Sequence, residues 1–274
     1  MTGAMDPHPE GRMTSTGLVG SAWRRAARIM HRRLATLRNA RPIVTFTFDD
    51  VPRSACREGA QVMEQHGARG TFYVCGGLTG RPRERPAHSL EDLVAVARSG
   101  HEIGCHGFQH VDYQSIGIDR VRADVDRNQR FLDDAGLTTE RMSFAYPFGC
   151  VDPRIKREIG RRYASARGVV GGSQVGTIDL NLLKATPLYS SRLDERSVAE
   201  LIDGNADAGG WLIFFTHEVE PTPGTYGCTP DLLMQAVRRA RATGSEVLPV
   251  REVLAMAVTP REASRKAPHG NTGT

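Results

Sequence analysis

The sequence predicts an α/β fold with a mainly parallel sheet. Two observations carry this. From residue 42 onward, short apolar runs alternate with longer amphipathic stretches, the pattern of strands joined by crossover helices. The residues best suited to chemistry fall just after the apolar runs, at the strand ends where parallel α/β folds place their sites. A closed or partly closed barrel fits better than an open sheet, although periodicity does not decide between them.

Composition bounds the rest. The 274 residues, 39% hydrophobic and 24% charged, suit one large domain or at most two, able to bury a core without disulfides. Collagen-like, disordered and disulfide-scaffold classes are excluded. No run of about 18 apolar residues is present, which excludes a membrane-spanning helix. The formal net charge is +5, but residues 12–41 hold eight arginines and no acid, while residues 42–260 hold 25 basic and 28 acidic residues. The body is therefore mildly acidic, and no basic motif surrounds the predicted site, which argues against nucleic acid as a partner. Five cysteines without a CxxC spacing give neither a disulfide framework nor a zinc-finger pattern, and read as reduced, partly buried thiols. No apolar signal region opens the chain, so a cytoplasmic location is expected. Gly3-Ala4-Met5-Asp6-Pro7 looks like a cloning remnant that would put the native start at Met13, and secretion stays open on that account.

The elements follow in order. Residues 1–20, rich in Gly, Ser, Thr and Pro, read as a disordered or tag-derived N-terminus. Residues 21–41 read as a basic amphipathic arm. Its helix over 21–38 puts Trp23, Ala27, Met30, Leu34 and Leu37 near one face and arginines on the other. That helix packs on the body, or it rests peripherally on an anionic membrane. Residues 42–258 form the catalytic body, and 259–274 a flexible tail. Strands are expected at 43–48, 70–74, 102–105, 142–146, 164–169, 211–216 and 247–250. Helices are expected at 55–66, 89–98, 119–135, 152–162, 197–208 and 230–242. Ser89 caps its helix, and Thr229-Pro230 opens another with a capping hydroxyl and a proline at the first helical position.

Three clusters carry chemistry. Thr47-Phe48-Asp49-Asp50 follows an apolar strand, and adjacent carboxylates there can diverge, one to a metal and one to act as a base. Taken alone, the doublet is as well read as a turn or helix cap. His106-Gly107-Phe108-Gln109-His110 places two imidazoles four residues apart, a spacing that suits one metal ion. With Asp50 it completes a His-His-Asp set with open positions, able to polarise a carbonyl. Phe214-Phe215-Thr216-His217 ends the most apolar strand, putting a histidine at the mouth of the fold. Between them, Phe144-Ala145-Tyr146-Pro147-Phe148-Gly149 is a strand turning sharply at Pro and Gly, where a backbone N–H can face a developing oxyanion.

Together these segments resemble the polysaccharide deacetylases, carbohydrate esterase family 4, the nodulation-type chitooligosaccharide deacetylase homology domain. The resemblance covers roughly residues 42–252. It implies a distorted (β/α)7 barrel and a divalent metal, usually zinc, held by Asp50, His106 and His110. It implies Asp49 as the base that activates water, His217 as the acid that protonates the leaving amine, and the Tyr146 N–H as oxyanion donor. Pro147, Phe148 and Tyr226 are the expected contacts to an acetylated glycan. Two departures stand out. The family's third-motif arginine is absent, with Ala145 near its place, and no Asp-Trp motif is visible. In the family that arginine and aspartate hold the base; here Arg192 and Asp179 are the candidate substitutes. Gly107 stands where the family has Ser or Thr. The function implied is removal of acetyl groups from N-acetylated sugars, with O-deacetylation served by the same chemistry. The alternatives are a non-sugar amidohydrolase of the same superfamily and a catalytically weak carbohydrate-binding relative.

Overall fold

A computed structural model describes residues 26–82, 86–140 and 142–260. The readings of residues 1–20, of Trp23 and of the tail from 261 onward lie outside the described residues. The strands are β1 Leu34–Leu37, β2 Ile43–Asp49, β3 Thr71–Val74, β4 Glu102–Cys105, β5 Ser143–Ala145, β6 Ser165–Arg167, β7 Thr177–Asp179, β8 Thr186–Pro187, β9 Trp211–Thr216, β10 Glu246–Val247 and β11 Val258–Pro260. One parallel sheet runs in the order β6-β5-β4-β3-β2-β9-β8, with β10 against the first residues of β2. Between the outer strands β6 and β8, the chain bridges Arg167 to Leu183, and Ala185 donates to the Val170 carbonyl at 3.0 Å. The sheet is thereby curled into the expected distorted (β/α)7 barrel.

Side-chain alternation divides this sheet into two faces. Val44, Phe46 and Phe48 of β2, Leu212 and Phe214 of β9, and Phe144 of β5 belong to one core with Met63, Val121, Val125, Ile159 and Val237 from the helices. Ile43, Trp211, Ile213 and Phe215 belong to a second core, with Ala35, Leu37, Ile178, Val250 and Val253. The same alternation sets Asp49, Tyr73 and Arg167 on the second face, and all three are buried. Gly104 of β4 makes room there, since a Cβ would lie 2.6 Å from the Tyr73 ring.

Most helices form where predicted. Ser89 and Asp92 make a reciprocal capping box before Leu90–Arg98, and Thr229 accepts from the Leu232 N–H at the start of Pro230–Ala242. The expected helix 55–66 is instead a π-helical turn, Ala55–Gly59, running into an α-helix, Ala60–Gln65. The expected strand over 247–250 stops at Val247. Pro249 turns the chain, and Val250–Met256 is a helix.

The helix expected over 21–38 is a correction. Residues 26–29 are helical, but β1 is a strand, paired antiparallel with β7 on one side and β11 on the other. Its burial alternates, with Ala35 and Leu37 inward. The segment from 26 to 41 is therefore part of the folded body, and Thr259 and Pro260, expected in the tail, belong to β11. Polar contacts fasten it. Lys156 donates to the Ala27 carbonyl at 2.7 Å and to Asp179 at 2.6 Å, and Asp179 also accepts from the Arg33 N–H at 3.0 Å. The Arg33 guanidinium caps the C-terminal end of the helix Pro153–Arg162 through the Gly160 and Tyr163 carbonyls, where cations suit the helix dipole. No helix among the described residues is long and apolar enough to cross a membrane. All five cysteines are free.

One buried imidazole ties stability to pH. His101 accepts from the Gly70 N–H at 2.9 Å through Nδ1, and its Nε2 lies 3.2 Å from Glu64. Burial outweighs the Glu64 charge and holds the imidazole down at about 4. A second proton would occupy Nδ1 and break the Gly70 bond. The unfolded imidazole takes up its proton near 6.5, so its contribution is present above that pH and is lost as pH falls towards 4. The size is up to about 3 kcal/mol, from a free-energy equivalent of roughly 1.4 kcal/mol per pKa unit. Urea midpoints at pH 7 and pH 5 check this. The wild type should lose more stability between them than His101→Asn, and equal losses would refute the assignment.

Candidate metal and acid–base site

The site forms where β2, β4, β5, β6 and β9 end. Asp50 leaves β2, His106 leaves β4, and His110 completes the turn after it. Asp50 Oδ1 lies 3.9 Å from His106 Nε2 and 3.4 Å from His110 Nε2. One ligand atom from each of the three residues falls within 4.8 Å of the others. His106 Nδ1 is 2.8 Å from the Ala145 carbonyl, which assigns its proton to Nδ1 and turns the Nε2 lone pair towards Asp50. Burial also lowers the His106 pKa, against the pull of Asp49 and Asp50, and so favours the neutral, ligating form. Two imidazole nitrogens and one carboxylate fit a divalent ion that keeps open positions for water and substrate.

The backbone is strained at this point. Asp50, Val51, His110 and Phe148 all have positive φ, near 50° to 56°. Such conformations cost about 1–3 kcal/mol each and persist only where surrounding structure enforces them. His88, fully buried, donates from Nδ1 to the Val51 carbonyl at 2.8 Å and contacts Thr79 Oγ1 through Nε2 at 2.9 Å. It fixes the turn that carries Asp50. The Cys75 thiol donates to the His106 carbonyl and lies 3.6 Å from Asp50 Oδ1. Burial, with the Asp50 charge behind it, pushes this thiol well up, so it stays protonated. The Phe148 ring packs 4.3 Å from the His110 ring, centroid to centroid.

Asp49 points the other way from Asp50. It is 4% exposed, and its Oδ1 is paired with Arg167 Nη2. Burial alone would raise its pKa. The Arg167 charge, with His106 and His217 behind it, wins and holds the carboxyl below the usual range. The Arg167 guanidinium lies 5.0 Å from both the Tyr73 and the Phe215 ring centres and donates to the Gly168 carbonyl. Ala145 and Arg167 are register partners across β5 and β6. The arginine expected near position 145 is thus replaced from the directly opposite position on the neighbouring strand.

His217 follows β9, whose Thr216 pairs with Phe48 of β2, so His217 and Asp49 leave adjacent strand ends. The Tyr226 carbonyl accepts from the His217 N–H at 3.1 Å and faces its Nδ1 at 3.2 Å. That contact assigns the Nδ1 proton. The loop after His217 folds back on itself, with Cys228 donating to the Glu218 carbonyl and Gly224 to Glu218 Oε1.

Three expectations need correction. The Tyr146 N–H already donates to the Arg167 carbonyl at 3.1 Å, and the buried Tyr146 hydroxyl donates to the Asn181 carbonyl, so this residue holds β5 to β6 and is not an oxyanion donor. Arg192 is exposed and lies over the Tyr189 ring, not beside Asp49. Asp179 is paired with Lys156 in the N-terminal fastening. The Tyr226 ring is half-buried, edge-on to Tyr189 and tilted 5.8 Å from the His217 ring, so the residue borders the site through its ring as well as its carbonyl. Pro147 is buried in the turn that carries Phe148. Sequence reasoning missed Arg167, His88, Tyr113 and Asp124. Only Arg167 left a signal, as a lone charge in the apolar stretch Ala164–Val169.

Residues 37–164 match the family model described as polysaccharide deacetylase. The chain resembles that family over these residues. No curated protein matches it. Among solved structures it is similar to the Bc1960 peptidoglycan N-acetylglucosamine deacetylase, with TM-score 0.57, 13% identity, and coverage of 80% of this chain and 90% of the other. It is also similar to a family 4 carbohydrate esterase from Streptomyces lividans, solved with acetate, with TM-score 0.54, 15% identity, and coverage of 76% and 91%. A third is BA3943 from Bacillus anthracis, described as a family pseudoenzyme, with TM-score 0.56, 15% identity, and coverage of 78% and 66%. At these identities the likeness is one of fold. That family generally uses a divalent metal, and Asp50, His106 and His110 here offer a donor set that fits one.

Removing Arg167 should be costly. A buried carboxylate that loses its cation partner typically costs about 3–5 kcal/mol, more than replacing both members by neutral groups. Arg167→Met should therefore unfold at clearly lower urea than wild type, and Arg167→Met/Asp49→Asn should regain much of the loss. A single variant as stable as wild type would show that the pair is not what keeps Asp49 charged.

Proposed function

We propose that the protein is a zinc-dependent deacetylase acting on N-acetylated sugars of an oligo- or polysaccharide. The observation that supports this most is one juxtaposition. A three-donor metal cluster sits beside an arginine-held carboxylate and a carbonyl-held histidine, at adjacent strand ends. Amide hydrolysis needs a base for water and a separate acid for nitrogen, and Asp49 and His217 are such a pair.

Asp50, His106 and His110 would hold the zinc, which when bound supplies Lewis acidity to polarise the acetyl carbonyl and acidify water. Arg167 engages Asp49 Oδ1, so proton uptake from the attacking water falls to Oδ2. Oxygen then adds to the acetyl carbon. As the C–N bond breaks, Nε2 of protonated His217 gives its proton to the departing sugar amine. Acetate and a free amine result, and the proton on Asp49 returns to solvent or to His217 for the next turnover. The Tyr226 carbonyl keeps His217 in the orientation this needs. The half-buried Phe148 beside His110 and the buried Pro147 beneath it shape the adjoining wall where an acetyl methyl would lie.

Acetate release from N-acetylated chito-oligosaccharides tests the reading. Activity is expected to fall to background with a chelator and to return with zinc. Asp49→Asn should lose on the order of 10²–10⁴-fold, the usual contribution of a positioned base. Release that ignores both chelator and Asp49→Asn would overturn the assignment, as would no release from any acetylated glycan.

A further inference from the structure

The turn that carries both histidines has no regular secondary structure of its own to hold it. His106 and His110 bracket Gly107, Phe108 and Gln109, and Gly107 and His110 both have positive φ. Something outside the turn must fix it. A carboxylate on the long helix Ile118–Asp134 does so. Asp124 Oδ2 accepts from the Phe108 N–H at 2.8 Å, and Oδ1 accepts from the Gln109 N–H at 3.0 Å. Oδ2 also accepts from the Tyr113 hydroxyl at 2.8 Å. Two consecutive backbone N–H groups between the two ligands are thus gripped by one side chain.

Gly107 belongs to the same arrangement. A Cβ there would lie 2.3 Å from the Tyr113 hydroxyl and 2.8 Å from Asp124 Oδ2. Any side chain would displace the brace, whatever the φ of +75° allowed. The Ser or Thr expected at this position is excluded by the groups that do the holding. Tyr113 itself is fully buried, and packs 6.4 Å from the Phe144 ring, so the hydroxyl is fixed from below. The helix is anchored independently, since its Asn128 side chain accepts from the Gly76 N–H and donates to the Val74 carbonyl.

We infer that Asp124 is a positioning residue for the metal centre: it does not touch the metal, but presets the His106–His110 turn so that both imidazoles converge on Asp50. This rests on the metal-site part of the function proposed above. Without the carboxylate, two backbone donors lose their acceptor, and the turn must be ordered by the metal itself. Partners of this kind typically govern metal affinity by about 10–100-fold when removed.

The test is zinc affinity of the purified full chain, by competition with a chromophoric chelator, beside a urea midpoint for the apo protein. Asp124→Ala should bind zinc about 10–100-fold more weakly than wild type. Asp124→Asn, which offers one acceptor oxygen and one mismatched donor, should fall between them. Tyr113→Phe keeps both backbone bonds and should stay close to wild type. A merely structural role would lower the urea midpoint and leave the zinc Kd of the folded protein unmoved. Should Asp124→Ala fail to fold, Asp124→Asn decides. Wild-type zinc affinity in a folded Asp124 variant would overturn the inference. Absence of zinc binding in the wild type would overturn the metal reading as well, and the two failures are thereby told apart.

Discussion

A carboxylate taken out of water loses several kcal/mol of hydration unless a cation and hydrogen bonds replace it. Asp49 meets that condition through Arg167, whose guanidinium is itself buried between two aromatic rings. Much of the barrel interior is arranged around this pair. Gly104 makes room for Tyr73, Tyr73 and Phe215 flank the guanidinium, and Ala145 leaves open the space beside it on the neighbouring strand. The pair is weak as a source of net stability, because desolvation offsets most of its attraction. What it does is keep a charged oxygen at a fixed place at the end of β2.

That fixed place divides two neighbouring aspartates into two roles. Alternation along β2 turns Asp49 to the same face as Arg167. The chain then leaves the strand in a left-handed conformation at Asp50 and Val51, which swings Asp50 to the histidines. His88 pins the strained turn from one side, and Asp124 pins the histidine turn from the other. Asp49 and the Asp50–His106–His110 set are therefore held by different parts of the molecule, the first by the barrel interior and the second by loops braced against helices. Replacing one brace need not disturb the other set.

The N-terminal segment has fastenings of its own. A basic stretch that suits a surface arm is tied in by β1, by the Lys156–Asp179 pair and by the Arg33 cap. Part of the positive charge of the chain is used there, on carbonyls at the end of a helix.

The sequence by itself determined the alternation of strands and helices and most of their limits, and it singled out Asp49, Asp50, His106, His110 and His217 as candidates. It could do so because those signals are local: apolar periodicity, caps, and reactive residues at strand ends. Tertiary structure alone decided what those residues lean on. Arg167 meets Asp49 across 118 positions of chain, and no local pattern encodes that meeting, since side chains opposite each other on neighbouring strands are set by register. β1 was hidden for the same reason. Met30, Leu34 and Leu37 fall at helical spacing, yet the segment is a strand because β7 and β11, far along the chain, offer it two edges to pair with. Tyr146 shows the converse: its place at a strand end promised a free N–H, and the ladder to β6 had already claimed it.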